Sequence, residues 1–178
     1  MRIFRVVAEK IYVSYDSTNK NCQAEGIELV EFGKAKVDTG DPIFNYSIGY
    51  DSKNAKPLFY EAYLGRIVDV SQFEYTLGKV QGYGYKNIGF ILDRGYFSKE
   101  NIRQMDACGY DFVMMVKGMS SLVDELILQN KGSFEDDRDY SIRNHQVYGK
   151  TVHRKLYADD EKERYFHIYH STGKEHGR

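Results

Sequence analysis

Two aspartates stand where a chain could do metal chemistry. Asp16 follows the alternating, β-rich run at residues 11–15 (I-Y-V-S-Y). Asp93 follows residues 88–92 (I-G-F-I-L), a short continuous apolar run of the kind carried by a strand covered on both faces. If the two strands are neighbours, their carboxylates converge at one sheet edge, where ligands bind in open α/β sheets. Carboxylates a few ångström apart repel unless a cation lies between them. A pair of Mg²⁺ or Mn²⁺ ions relieves that repulsion, and oxygen ligands suit both metals. Such a pair activates a water or 3′-hydroxyl and stabilises the leaving oxygen of a phosphodiester. Taken singly, an Asp at a strand end is more often a turn or cap residue. Two at matched strand ends carry more weight than either alone.

Other residues lend themselves to the same chemistry or to none. Arg94, Lys99 and Arg103 flank the second Asp, and Lys117 follows a later apolar run. Beside a metal site they could hold DNA phosphates, which positions a strand without reading its sequence. The plain alternative is solvated helix and loop charge. Thr18 and Asn19 could orient Asp16 or touch a DNA backbone, although turn residues need no such role. The histidines at 145, 153, 167, 170 and 176 make no zinc site: His167 and His170 face opposite sides of an alternating strand, and neither Cys is near. Cys22 has no basic neighbour to activate it. Residues 82–85 (G-Y-G-Y) form a turn without the Lys-Ser/Thr of a phosphate loop.

The stretches between the aspartates determine how they are carried. Residues 16–19 (D-S-T-N) read as a turn and residues 20–41 as a long glycine-marked loop. Residues 42–50 and 57–63 read as two strands of a hairpin about the turn 51–54. The period then changes. Val70, Phe73, Leu77 and Val80 form a helical face, with Ser71 and Glu74 spaced as a capping box. The apolar run at 88–92 is a fourth strand, Ser98 caps a helix that Gly109 stops, and residues 111–116 are a fifth strand. Ser120 or Ser121 caps a helix over 122–129. From 140 to 170, short alternating segments predict strands and not another βα unit, and residues 171–178 should fray. Three early strands followed by alternating βα units describe a mixed sheet with helices packed on it. This is the strand order of ribonuclease-H-like folds up to their fifth strand, and it makes strands one and four neighbours. The expected organisation is a partial core at 1–130, a β-rich segment at 131–170 and a tail at 171–178.

Composition narrows the field. The chain of 178 residues carries 25 Lys and Arg against 26 Asp and Glu. That balance excludes a wholly basic nucleic-acid tail or an acidic disordered one, and leaves room for a local basic groove. Hydrophobic residues at 42% with two prolines mark a folded chain. The 16 Tyr and 10 Phe predict many half-buried rings, because a tyrosine hydroxyl needs a partner. Cys22 and Cys108 are too few for a disulfide framework and fit a reduced, intracellular setting. Residues 1–10 lack the apolar stretch of a signal peptide, and no apolar run approaches the roughly 20 residues that cross a bilayer. A cytoplasmic protein without a membrane partner is expected.

The words around the aspartates are more specific. Residues 12–21 (Y-V-S-Y-D-S-T-N-K-N) and 87–100 (N-I-G-F-I-L-D-R-G-Y-F-S-K-E) resemble bacterial insertion-sequence transposases of the DDE class. The second stretch holds that group's Asp-x-Gly-(Tyr/Phe) signature as Asp93, Gly95 and Tyr96. The loop at 27–36, the hairpin P-L-F-Y-E, residues 111–118 and the passage from acidic to β-rich sequence ending near Tyr169 match in the same order, so the resemblance covers roughly residues 9–170. It implies a ribonuclease-H-like catalytic core with a β-strand insertion after the fifth strand, Mg²⁺ or Mn²⁺ at Asp16 and Asp93, and DNA over Arg94, Lys117, Lys99 and Arg103. Its partners would be transposon-end DNA in the full-length protein and a second copy of itself.

Departures from the family pattern shape the expectation. The family's third acid is a Glu on the helix after the β insertion, within a motif of Tyr, Arg, Glu and Lys, and this chain ends before that helix. Glu161 and Glu163 lie inside the insertion-like region and are poor substitutes. Few residues precede Asp16, where family members carry an end-binding region, and the unmatched S-T-G-K-E-H-G-R tail looks like a frameshift remnant or artificial end. The expectation is a transposase fragment, inactive alone. The alternatives are a stand-alone metal nuclease of the same fold, or a non-catalytic remnant that binds DNA or a partner.

Overall fold

Alternation and helical spacing resolve into the following elements in the computed structural model, which describes residues 10–85 and 87–171. They run β1 (Ile11–Asn21), β2 (Ile43–Asp51), β3 (Lys56–Leu64), α1 (Asp69–Gly82), β4 (Ile88–Leu92), α2 (Lys99–Ala107), β5 (Asp111–Met114) and α3 (Ser120–Asn130). The short strands β6 (Ser141–Ile142), β7 (Val147–Arg154) and β8 (Arg164–His170) follow. The first five strands form one sheet in the order β3-β2-β1-β4-β5. β1–β2 and β2–β3 are antiparallel, β1–β4 and β4–β5 parallel. This is the mixed, ribonuclease-H-like arrangement expected. The tail expected to fray lies, beyond Ser171, outside the described residues.

The core lies between this sheet and the helices α1 and α2. Phe73, at 0% exposure, meets Tyr15 at 4.9 Å, Phe90 at 5.4 Å and Tyr96 at 5.4 Å between ring centroids. One α1 ring therefore touches β1, β4 and the turn after β4. Alternation along β1 puts Val13, Tyr15 and Ser17 on this helix side, all buried, and Tyr12, Ser14 and Asp16 on the other. That other face is not covered at β4, contrary to the reading of its apolar run: Ile91 is 41% exposed. Gly49 of β2 is favoured by contact, since a Cβ there would clash with the outer edge of the buried Phe59 ring.

Three local expectations need correction. β1 does not stop before Asp16; it runs on to Asn21 because β2 pairs with it as far as Asn21↔Ile43. The polar side chains that suggested a turn instead tie the strand to the following loop: Asn19 Nδ2 donates to the Lys34 carbonyl at 3.0 Å, and Lys36 N–H donates to Asn19 Oδ1 at 2.9 Å. The Ser71 capping box does not form. Helix α1 begins at Asp69 after Val68, with no side-chain cap, and the Asp69 carboxylate accepts the Tyr63 hydroxyl at 2.6 Å. A negative charge in the first turn suits the helix dipole and favours the earlier start. Nor does Ser120 or Ser121 cap α3, whose N-cap is Met119. At α2 the expectation holds: Ser98 Oγ accepts from Asn101 N–H at 3.0 Å. Gly109 at φ +69° ends the helix with Tyr110 N–H on the Met105 carbonyl and Gly109 N–H on that of Asp106.

The chain divides into two compact units, Met1–Lys117 and Gly118–Arg178. This division falls before α3, whereas the sequence reading drew its line after it, at 130. Inside the second unit Arg154 of β7 reaches Glu125 of α3 at 3.2 Å, which ties the helix to the strands that follow. Those strands form an antiparallel sheet in the order β6-β7-β8, and no helix interrupts residues 148–169, as expected. Leu126, Phe134, Leu156 and Phe166 are buried there.

Candidate active site

Asp16 and Asp93 owe their relation to the parallel pairing of β1 with β4. That register runs from Ile11↔Ile88 to Tyr15↔Leu92, so the next position on each chain is an aspartate. Residues at matched positions of a parallel pair point to the same face, and both aspartates are exposed. Their carboxylates are held alike. Asp16 Oδ1 accepts from Ser17 N–H at 2.8 Å, and Asp93 Oδ1 accepts from Arg94 N–H at 2.5 Å as the cap of the 3-10 turn Arg94–Tyr96. Among the described residues neither carboxylate has a basic partner, and the second oxygen of each accepts no hydrogen bond.

Behind the aspartates, on the helix side, lies a group of buried hydroxyls. Tyr96 donates to Ser17 Oγ at 2.6 Å, and Tyr15 and Thr76 share a hydrogen bond at 3.2 Å. Burial pushes the phenol pKa values of Tyr96, Tyr63 and Tyr15 up, and the bond to Asp69 adds to the rise at Tyr63. These phenols stay protonated across the physiological range and serve as donors. Spacing did not mark Lys36, yet its ammonium donates to the Ser17 carbonyl at 2.6 Å, bringing a cation to the backbone beside Asp16. No local signal could have found it, because the long loop after β1 folds back to place it.

The remaining candidates divide by layer. Arg94 follows Asp93 directly, is exposed, and has no ion pair among the described residues. Lys117 is exposed beyond the end of β5, the strand beside β4. Lys99 and Arg103 sit on α2, in the helix layer on the opposite side of the sheet from Asp16. Thr18 lies within β1, and Asn19 is engaged with the loop and not with Asp16. His167 pairs with Thr151 at 2.8 Å and His153 packs edge-on against Tyr165.

The model for the transposase DDE domain matches residues 13–172. The chain belongs to the DDE transposase family. No curated protein matches it. Among solved structures, the Mos1 transposase catalytic domain with raltegravir and Mg is 10% identical, with 62% of this chain and 53% of that one covered and a TM-score of 0.39. The Mos1 paired-end complex with the left transposon end is 11% identical, with coverage of 67% and 41% and a TM-score of 0.40. An N-terminal RNase H domain from Mycobacterium tuberculosis, fused to maltose-binding protein, is 8% identical, with coverage of 65% and 90% and a TM-score of 0.30. The chain spans about half the length of the Mos1 structures it matches.

A divalent cation is the group that a DDE transposase site implies, and the donors present fit one. Asp16 and Asp93 offer hard oxygen ligands, each with an uncommitted oxygen, one residue past the last paired position of β1 and β4. Mg²⁺ keeps several waters and is commonly held by one or two carboxylates plus substrate phosphates. Among the described residues no group of three His, Cys, Asp or Glu side chains is placed to hold a metal ion. No described helix is long and apolar enough to cross a membrane.

Proposed function

We propose that this chain is a fragment of a DDE transposase, carrying two of the three acids for metal-dependent DNA cleavage and strand transfer, and that it is inactive alone. The observation that supports the reading is the β1–β4 register, which ends at Tyr15↔Leu92 with Asp16 and Asp93 as the residues that follow. Asp16 and Asp93 would hold Mg²⁺ or Mn²⁺, each carboxylate having one oxygen engaged by a backbone N–H and one uncommitted. A metal held there would supply Lewis-acid activation of a water or 3′-hydroxyl and charge stabilisation for a leaving oxygen. Arg94 and Lys117 contact backbone phosphates close to the carboxylates, whereas Lys99 and Arg103, on α2 across the sheet, would meet only phosphates that pass the sheet edge, positioning DNA without reading it. In the full-length protein the partners are transposon-end DNA and a second copy, in the cytoplasm and away from membranes. Residues 1–130 correspond to the partial core and 131–170 to the family's β insertion.

Two carboxylates leave a two-metal site short of ligands and of negative charge. A surface with net charge −1 gives the isolated chain weak DNA affinity, lost at moderate salt. The test is cleavage and joining of labelled DNA in Mg²⁺ and Mn²⁺, beside an Asp93→Ala control. The isolated chain is expected to be inactive, and activity to return when the Glu-bearing helix and an end-binding region are restored. Robust activity of the chain alone, abolished in the control, would replace this reading with a stand-alone nuclease. No activity after restoration would leave a non-catalytic remnant.

A further inference from the structure

We propose that the buried hydroxyl pair Tyr96–Ser17 is a positioning device that keeps Asp16 and Asp93 together beyond the end of the β1–β4 ladder; this rests on the assignment of those aspartates as metal ligands. The backbone ladder between β1 and β4 ends at Tyr15↔Leu92, one residue short of both carboxylates. Beyond it β1 stays with β2, while the other chain turns away into the 3-10 turn Arg94–Tyr96. At the point where two like charges would push the strands apart, the ladder no longer ties them together.

The Tyr96 hydroxyl crosses that gap, donating to Ser17 Oγ at 2.6 Å between residues 79 apart in sequence. It completes a chain of hydrogen bonds that runs from Asp16 to Asp93. Ser17 N–H holds Asp16 Oδ1 at 2.8 Å, Tyr96 N–H holds the Asp93 carbonyl at 3.1 Å, and Asp93 Oδ1 accepts from Arg94 N–H. Both members are sheltered from competing water, Tyr96 at 3% and Ser17 at 5% exposure. The ring of Tyr96 is fixed between Tyr15 at 5.2 Å and Phe73 at 5.4 Å, so its hydroxyl is a rigid strut. Neither residue touches the metal; both act through the aspartates beside them. This gives the tyrosine of the Asp93–Tyr96 segment a task that a phenylalanine could not perform.

The test is Mn²⁺ binding by the full chain, read by electron paramagnetic resonance, with folding checked by circular dichroism. Tyr96→Phe keeps the packed ring and removes the strut, and Ser17→Ala removes its seat. Each is expected to weaken Mn²⁺ binding about threefold to tenfold, the range of one net hydrogen bond. The double variant should lose no more than either single one, since both break the same bond. Thr76→Val removes a hydroxyl partner of Tyr15 in the same core and is expected to leave Mn²⁺ affinity unchanged. Wild-type affinity in Tyr96→Phe, with binding abolished in Asp16→Ala, would overturn the proposal and leave the metal site standing. An equal loss in Thr76→Val would reduce the pair to ordinary core packing and overturn it too. Wild-type binding no tighter than that of Asp16→Ala would remove the metal assignment, and the positioning device with it.

Discussion

Replacing Asp93 with Asn removes one of two like charges that follow the last paired position of β1 and β4, while its Oδ1 still accepts from Arg94 N–H. Most substitutions destabilise, but without metal this one is expected to stabilise. Adjacent strands lie about 4.8 Å apart, and two unit charges about 5 Å apart repel by about 0.8 kcal/mol in water. Both carboxylates are exposed and lack an ion-pair partner among the described residues, so the aqueous figure applies as an upper bound, with the Lys36 ammonium on the Ser17 carbonyl offsetting part of it at Asp16. Asp93→Asn, and equally Asp16→Asn, should raise the unfolding free energy by about 0.5–1 kcal/mol in EDTA at low ionic strength. In 1 M NaCl the Debye length shrinks to about 3 Å and most of the gain should vanish. Divalent metal should reverse the order. At tenfold excess over its Kd the metal stabilises the wild-type chain by about 1.4 kcal/mol and the Asn variants far less. Urea unfolding followed by far-ultraviolet circular dichroism suits a chain without tryptophan. An Asn variant less stable than wild type in EDTA, or a ranking that Mg²⁺ leaves unchanged, would refute the shared-site geometry.

Three further outcomes test the scaffold. Burial holds the Tyr96 phenol protonated in the folded chain while the unfolded chain releases it above about pH 10, so its contribution is full below that pH and falls by about 1.4 kcal/mol per pH unit above it; Tyr96→Phe should flatten the alkaline limb by that slope in urea titrations at pH 9–11.5. Phe73→Ala should cost about 3–5 kcal/mol by urea midpoint, because its ring is fully buried against β1, β4 and the turn after β4. Ser98→Ala should cost about 0.5–2 kcal/mol as a lost helix cap, whereas Ser71→Ala should stay within about 0.5 kcal/mol because Ser71 caps nothing.

Much of the fold was legible because its signals are local. The run at 88–92 became β4 with the bounds expected, although its Ile91 is exposed, and Ser98 and Gly109 bounded α2 as their chemistry requires. Two of the failures share one cause, which is tertiary partners overriding local preference. Ser17, Thr18 and Asn19 look like a turn when read along the chain, yet β2 on one side and the loop on the other hold them extended. Ser71 has the spacing of a capping box, but Asp69, anchored by Tyr63, starts the helix earlier.

The candidate site divides along the same line. Asp16 and Asp93 could be paired from sequence because each follows a recognisable apolar run, and a parallel pair of such strands needs only its topology to bring their ends together. What holds the two ends there could not be read, because a tyrosine and a serine 79 residues apart carry no period, motif or charge that links them. The correction to β1 bears on this directly. Had the strand ended at Tyr15, Ser17 would lie in a loop, free to turn its hydroxyl to water. Because β1 continues beside β2 as far as Asn21, alternation returns Ser17 to the helix side, with Asp16 directed to the opposite face. One added strand residue thus presents a carboxylate to the exposed face, and the next sets a hydroxyl in the core where Tyr96 can reach it.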